Sequence, residues 1–520
     1  MGRSSEGQVT DGRATARIVD ASIAIALAVG TVLTFDRADV FHRPFWVDEA
    51  WVADSTRAPL SQLRLLTSST PIGWTMLLRL VPHIGSAERL RAVPVAFSVA
   101  AVIAAYALGR ALFDRRYHLA LIPAAAIMLA PISLSFTSLK QYSAEAFGAV
   151  LLLTLAVRLE RAWSPTRLYV LGAAAVLLQP FATTTIFAAA AIFGALFVVE
   201  VVRRTWDRVV RVTAAGAVIV AADAVLYLLV VKPDLNPALK HFWDNYYLAG
   251  NPTSGARAFI AARWLAVARF TGIGPLGWVV IVVVGGMVVL ARRRAVAVAL
   301  VPAALAAIGV IAGRVRLFPY LDLRTSKYFL TSLAAIGALA FSGAGAELED
   351  LAERRGLLKR PWSAAIVSAV TIGAIALFIV HGRPYTPARV SVAEDVRDQV
   401  RLVEAARKPG DVIAMNLHAQ WGYAYYERER PHFVPASDVS TGFKFAPDPS
   451  QNIVIAKSRT LAGERAAFDA ARALQATHPG AHLWIILSHI SPPEVAAWKQ
   501  LAAPFHPSQR RFGTEMLLVL

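Results

Sequence analysis

Apolar runs of about twenty residues, parted by short polar segments, repeat along the first three quarters of the chain. The first runs from Ile18 to Phe35. Others fall at residues 92–112, 118–136, 142–158, 168–180, 182–201, 212–231, 275–291, 296–312, 327–345 and 362–381. At 1.5 Å per residue such runs are long enough, or nearly so, to cross the hydrocarbon core of a bilayer as helices. The pattern predicts about eleven spans. Between 168 and 201, Gln179-Pro180 interrupts the run and Thr183-Thr184-Thr185 follows, so this stretch reads as a tight hairpin or as one kinked helix. The first run is followed by no small-residue cleavage signature and reads as a retained span.

From about Pro384 the pattern changes to that of a small α/β domain, 384–520, following the membrane part, 1–383. Val392, Val396, Val400 and Val403 form a helical stripe that Lys408-Pro409-Gly410-Asp411 stops, and Val412 to Met415 reads as a buried strand. A helix at Gly463–Thr477 precedes a strand at His482–Leu487. Ser491-Pro492 then opens a helix to about Ala503, and Glu515–Leu520 reads as a last strand.

Composition supports the membrane assignment. The chain has 520 residues, 56% hydrophobic and 17% charged, with a mean hydropathy of +0.50. That is too apolar for a soluble chain. The net charge of +18 comes largely from Lys and Arg clustered between apolar runs, which argues against nucleic acid as a partner. The clusters at 110–116, 158–167, 203–208, 292–294 and 354–360 occupy every second loop. By the positive-inside rule these loops and the N-terminus are cytoplasmic, in the cell membrane, while loops 36–90 and 232–274 and the C-terminal domain are outside. In the second outer loop, Phe242, Trp243, Tyr246 and Tyr247 suit an interfacial helix, and Ile260, Trp264 and Val267 form one apolar helical face able to lie on the membrane. With no cysteine in the chain, a disulfide, a thiolate nucleophile and a Cys-ligated metal are all excluded.

Charge on the outer side is therefore the informative feature. Asp48 and Glu49 sit between Trp46 and Trp51 just beyond the first span, with Asp54 further on. Lys140 lies in the turn before the fourth span, beside Tyr142 and Glu145. Arg316, Arg324 and Lys327, with Tyr328, lie in the segment leading to the tenth. Singly, such cations snorkel to head groups and such tyrosines belong to an aromatic belt. Gathered on one face, the cations suit a lipid phosphate.

Several of these segments together resemble the GT-C glycosyltransferases. Asp48-Glu49-Ala50-Trp51, Ser69 to Leu80, Leu90-Arg91-Ala92-Val93-Pro94 and Ala107 to Phe113 are similar in order and spacing to the protein-mannosyltransferase and aminoarabinose-transferase-like branch. Lys140 to Glu145 falls where that branch has a tyrosine-and-acid turn, and Arg316 to Tyr328 where it has a basic, proline-containing one. The resemblance implies transfer of a sugar from a polyprenyl-phosphate donor to a hydroxyl of a glycan, lipid or protein acceptor on the outer face. Asp48 would be the general base and Glu49 would position acceptor or base, with Asp54 a more distant candidate. A hydroxyl needs such a carboxylate, and the leaving phosphate needs cations, here Lys140, Arg316, Arg324 and Lys327 with Tyr142. Asp48 and Glu49 could also contribute to a Mg²⁺ or Mn²⁺ site, although two carboxylates are too few ligands alone. A transporter or lipid flippase is the alternative; its ionisable residues should lie on broken helices near the midplane, whereas these lie at span ends. Reporter fusions at Arg116, Arg204 and the C-terminus should read inside, inside and outside. An outside signal at the first two would overturn the assignment of the acidic loop to the outer face.

Overall fold

The computed structural model describes residues 4–35, 37–67, 70–81, 87–114, 116–129, 138–233, 243–250, 253–271, 275–356, parts of 362–373, 394–427, 430–439 and 441–520. The end of the third expected span, most of the eleventh, Ser69, Phe242, Val392 and the 383/384 boundary lie outside the described residues.

The long apolar runs are helices: α1 (Ser4–Thr34), then, after the short α2 (Arg37–His42), α3 (Val47–Arg57), α4 (Leu63–Leu66) and α5 (Ile72–Arg79), the helices α6 (Ala92–Phe113), α7 (Tyr117–Leu129), α8 (Tyr142–Arg161), α9 (Pro165–Leu178), α10 (Thr185–Val202) and α11 (Trp206–Leu226). After a loop come α12 (Thr253–Thr271), α13 (Leu276–Arg292), α14 (Val296–Arg314) and α15 (Lys327–Arg354). Seven of the described helices are long and apolar enough to span, and Tyr117–Leu129, Pro165–Leu178 and Leu276–Arg292 are shorter apolar helices. These ten coincide with ten of the expected spans. The chain is a polytopic helical membrane protein.

Residues 168–201 form a hairpin of two helices, because the segment from Gln179 to Thr184 turns instead of kinking. Its Pro180 carbonyl accepts from Gly73 N at 2.9 Å, which ties the turn to α5. Ser164 caps α9, accepting from Arg167 N, with Pro165 in the first turn. The first amides of α14 are satisfied from another helix, since Glu160 accepts from Ala297 N at 2.9 Å and Val298 N at 3.0 Å. The apolar face of α12 packs into the bundle instead of lying on its surface. Val267 and Ala268 are buried there, and Trp264 meets Phe329 edge-on at 5.8 Å.

The C-terminal region carries α16 (Val396–Ala406), β1 (Val412–Met415), α17 (Ala419–Tyr426), β2 (Phe433–Pro435), β3 (Phe443–Phe445), β4 (Ile453–Ile455), α18 (Leu461–Ala476), β5 (Leu483–Leu487), α19 (Pro492–Ala502), β6 (Ser508–Phe512) and β7 (Glu515–Val519). The main sheet has the order β4-β1-β5-β7-β6; β4, β1 and β5 are parallel and β7 and β6 antiparallel. Successive strand residues face opposite sides. Val412, Ala414, Leu483, Ile485 and Leu487 pack with Phe468 and Trp498 of α18 and α19. Ile413, Met415, Trp484 and Ile486 join a different core that continues through Trp421 and Phe433 to Trp51 of α3 and Trp74 of α5. One hydrophobic core thus joins the sheet to the loop bearing Asp48.

Helix contact in the bundle relies on small residues. A Cβ on Gly109 of α6 would stand 2.6 Å from the Cα of Ala120 in α7. Gly109→Leu should therefore force α6 and α7 apart and destabilise the folded protein by at least about 1–3 kcal/mol, read as a lower melting temperature in detergent. An unchanged melting temperature would contradict this packing.

Candidate functional site

Helix α3 positions the acidic pair. Asp48 and Glu49 fall in its first turn, where the free amides and the positive end of the dipole favour carboxylates. Glu394, from the C-terminal region, accepts from Val47 N at 3.0 Å. Neighbours on a helix diverge by about 100°, so the two carboxylates part. Glu49 turns into the protein and is fully buried: its oxygens accept from Arg91 Nε at 3.0 Å, Arg91 Nη2 at 2.5 Å and Leu139 N at 3.2 Å. Arg91 is itself buried and donates to the carbonyls of Val40, Arg43 and Pro44. Asp48 stays partly open, with Arg324 Nη1 3.6 Å from its Oδ2.

The basic side is assembled from two further turns. Lys140 sits between two anchors at Leu139, whose N–H goes to Glu49 and whose carbonyl accepts from Trp74 Nε1 at 2.6 Å. Its ammonium lies 6.0 Å from the centre of the Trp51 ring, and that ring stacks on Trp421 at 5.0 Å. Burial draws the Lys140 pKa below its ordinary value, opposed by the charge of Asp48 and assisted by that of Arg324. Asp322 builds the other turn, its Oδ2 accepting from Arg324 N at 3.2 Å and Thr325 N at 3.0 Å. Just before it, Leu321 is held at φ 45°, a conformation that disfavours a branched residue and persists only when its surroundings impose it. Arg324 lies 5.9 Å from the centre of the Trp243 ring. Burial works against its charge, yet Asp48 and the other anionic neighbours keep its pKa above the ordinary value.

Behind these groups, the first turns of α8 and α15 bring Glu145 and Lys327 within electrostatic reach of each other, and Lys327 also of Asp322 and Arg324. Tyr142 lies in the field of Asp48, Arg324 and Glu145, and Tyr328 near Glu145. Tyr328 is packed against Phe187 and Phe318. Glu145 is buried there beside Gln141 and Thr184.

Asp48, Lys140, Tyr142, Glu145, Arg324, Lys327 and Tyr328 are therefore brought together, with Asp322 and Trp243 as members that the sequence did not place at the site. The Asp-x-Arg-Thr pattern at 322–325, which fits an Asx turn, is the signal for Asp322. Of the other expected site residues, Glu49 faces inward behind the cluster, and Arg316 and Asp54 lie elsewhere. Glu49 is locked against Arg91. Arg316 is exposed, in the field of Tyr247. Asp54 is fully buried at the far end of α3, facing Arg57 and Glu427, and burial raises its pKa well above the carboxylate range. The acidic pair does not fit Mg²⁺ or Mn²⁺ either, because the Glu49 oxygens are taken by Arg91 and a backbone amide, and no group of three or more His, Cys, Asp or Glu suited to a metal gathers among the described residues.

Removing one partner of a buried pair strands the other charge. Arg91→Met should destabilise the protein by about 3–5 kcal/mol, measured by thermal unfolding in detergent. A melting temperature equal to wild type would contradict the ion pair.

No protein-family model matches the chain, and no curated protein does. Solved structures do. The archaeal oligosaccharyltransferase AglB from Archaeoglobus fulgidus, in complex with an inhibitory peptide and a dolichol-phosphate, superposes with a TM-score of 0.54 at 13% identity, covering 96% of this chain and 74% of that one. ArnT from Cupriavidus metallidurans bound to undecaprenyl phosphate gives 0.53 at 13% identity, covering 96% of this chain and 97% of that one. The Archaeoglobus fulgidus oligosaccharyltransferase in complex with Zn and sulfate gives 0.50 at 13% identity, covering 89% and 68%. Over nearly its whole length the chain shares the fold of AglB and ArnT.

Proposed function

We propose that the chain is a membrane glycosyltransferase that moves a sugar from a polyprenyl-phosphate donor to an acceptor hydroxyl on the outer face, with Asp48 as general base. The observation that carries this reading is the pairing of Asp48 with Arg324, 3.6 Å apart and both partly open, at the mouth of a cluster that also holds Lys140 and Lys327. The fold shared with proteins whose structures contain dolichol-phosphate and undecaprenyl phosphate supports it.

In this reading the donor phosphate lies against Arg324, Lys140 and Lys327, with Tyr142 beside them. The cations already face Asp48, Asp322 and Glu145, so phosphate competes with Asp48 for Arg324. Donor binding would thereby release Asp48 as a proton acceptor. The acceptor oxygen then attacks the anomeric carbon, its proton passes to an Asp48 oxygen, and the bond from that carbon to the phosphate oxygen breaks. The bonding pair leaves with polyprenyl phosphate, whose growing charge the cations stabilise. Glu49 is a positioning residue that aims Asp48 outward and holds the Lys140 turn. The division into a catalytic membrane part, 1–383, and an outer α/β domain, 384–520, that contributes to acceptor binding belongs to the same proposal. Every ionisable group in the cluster lies in a turn or in the first turn of a helix, which favours surface chemistry over a transport path.

Asp48→Asn keeps the size of the side chain and removes its basicity. Single-turnover transfer from a loaded polyprenyl-phosphate sugar should slow at least about a hundredfold with donor binding kept. Arg324→Ala should instead weaken donor use roughly ten- to a hundredfold. Near-normal turnover in both variants would sink this assignment.

A further inference from the structure

The ends of the helices away from Asp48 carry a second feature that catalysis does not use. A cavity of about 600 Å³ opens there, bordered by the end of α8, the start of α9 and Ala111 of α6. Its lining divides by chemistry. Leu155 and Val170 give an apolar wall, and Arg158, Arg161 and Arg167 bring three guanidinium groups. On α9 the apolar surface continues outward over Val170 and Leu177, 50% and 68% exposed and two helical turns apart on one face.

Two of the guanidinium groups are anchored. Arg161 donates to the Ala111 carbonyl and lies 3.3 Å from Asp114. Arg167 donates to the carbonyls of Arg158 at 3.0 Å and Ala162 at 2.6 Å. Each guanidinium has five donors, so these contacts fix the groups without exhausting them. Arg158 is exposed, and the charge it faces is that of Asp20. Nearby carboxylates neutralise only part of this charge: Asp114 meets Arg161 through both oxygens but is largely in solvent, Glu160 accepts from the amides of Ala297 and Val298, and Asp20, in the field of Arg158, is hydrogen-bonded to Arg110 and Tyr106. The cavity is left with a surplus of positive charge, two of its three guanidinium groups anchored, beside an apolar wall that is exposed at Val170.

We propose that this cavity binds the phosphate head group of an anionic phospholipid, with an acyl chain lying along Leu155, Val170 and Leu177. Fixed guanidinium groups suit phosphate oxygens, and basic pockets between membrane helices commonly hold such head groups. Inorganic phosphate would satisfy the arginines alone and gain nothing from the apolar wall. The site is independent of the transfer reaction and of its substrates.

The test uses the full chain, purified and delipidated in a neutral detergent. It is titrated with dioleoylphosphatidylglycerol, dioleoylphosphatidylcholine or inorganic phosphate, and binding is read by native mass spectrometry and by the rise in melting temperature. Phosphatidylglycerol should bind in preference to phosphatidylcholine, and millimolar inorganic phosphate should not displace it. Arg158→Gln should weaken phosphatidylglycerol binding about tenfold, the loss expected for one charge-assisted contact. Arg211→Gln, which removes an exposed arginine outside the cavity at the same membrane end, should leave binding unchanged. The melting temperature without lipid shows whether each variant is folded, and the competition arm needs no variant. Equal binding of the two lipids, equal losses in the two variants, or displacement by inorganic phosphate would each overturn the proposal.

Discussion

Arg91 and Glu49 meet in the interior with no exposed side-chain surface on either partner, and much of the site depends on how that pair is satisfied. A buried ion pair is tolerable only when its remaining hydrogen-bonding capacity is filled. Here the backbone fills it: carbonyls of 40, 43 and 44 accept from Arg91, and the amide of Leu139 donates to Glu49. The pair therefore joins the lead-in to α3, the start of α6 and the turn before α8. With Glu49 drawn inward, helical geometry leaves Asp48 facing the opening, and the Leu139 contact sets the neighbouring Lys140. A single interaction places both the acid and one of the bases.

The second constraint is the core shared between α3 and the C-terminal sheet. Trp51 stacks on Trp421, Phe45 N donates to Tyr426 Oη at 2.8 Å, and Arg397 pairs with Glu88 at 2.8 Å. The acidic loop is thus held from both sides, by the bundle through Arg91 and by the sheet through Trp51 and Glu394. That rigidity suits the role proposed for Asp48, which would depend on its distance to a reacting hydroxyl.

Much of the bundle was legible in the sequence because a membrane span has a strong signature, an uninterrupted apolar run of fixed length with basic ends. The strands at 412–415 and 483–487 were legible for a related reason, being buried on both faces. The three-residue β2, β3 and β4 were not, since runs so short carry no period. Neither was α17, where Ala419 to Tyr426 is apolar nearly all round. At the site, the sequence offered separate roles for Asp48 and Glu49 but not their directions: only the helix separates them into an open carboxylate and a buried counterion. Arg316, Arg324 and Lys327 read as one basic turn, yet the reversal around Leu321 and Asp322 carries Arg324 and Lys327 to the site and leaves Arg316 in solvent. Trp243 could not be placed beside Arg324 by any local rule, because about eighty residues separate them.

The most direct test of the central claim is where a polyprenyl phosphate sits. A cryo-electron microscopy structure of the full chain in a lipid nanodisc with undecaprenyl phosphate should show the phosphate within hydrogen-bond distance of Arg324 and of Lys140 or Lys327, with Asp48 released from Arg324. A phosphate bound away from these residues, with the Asp48 and Arg324 pair intact, would contradict the account.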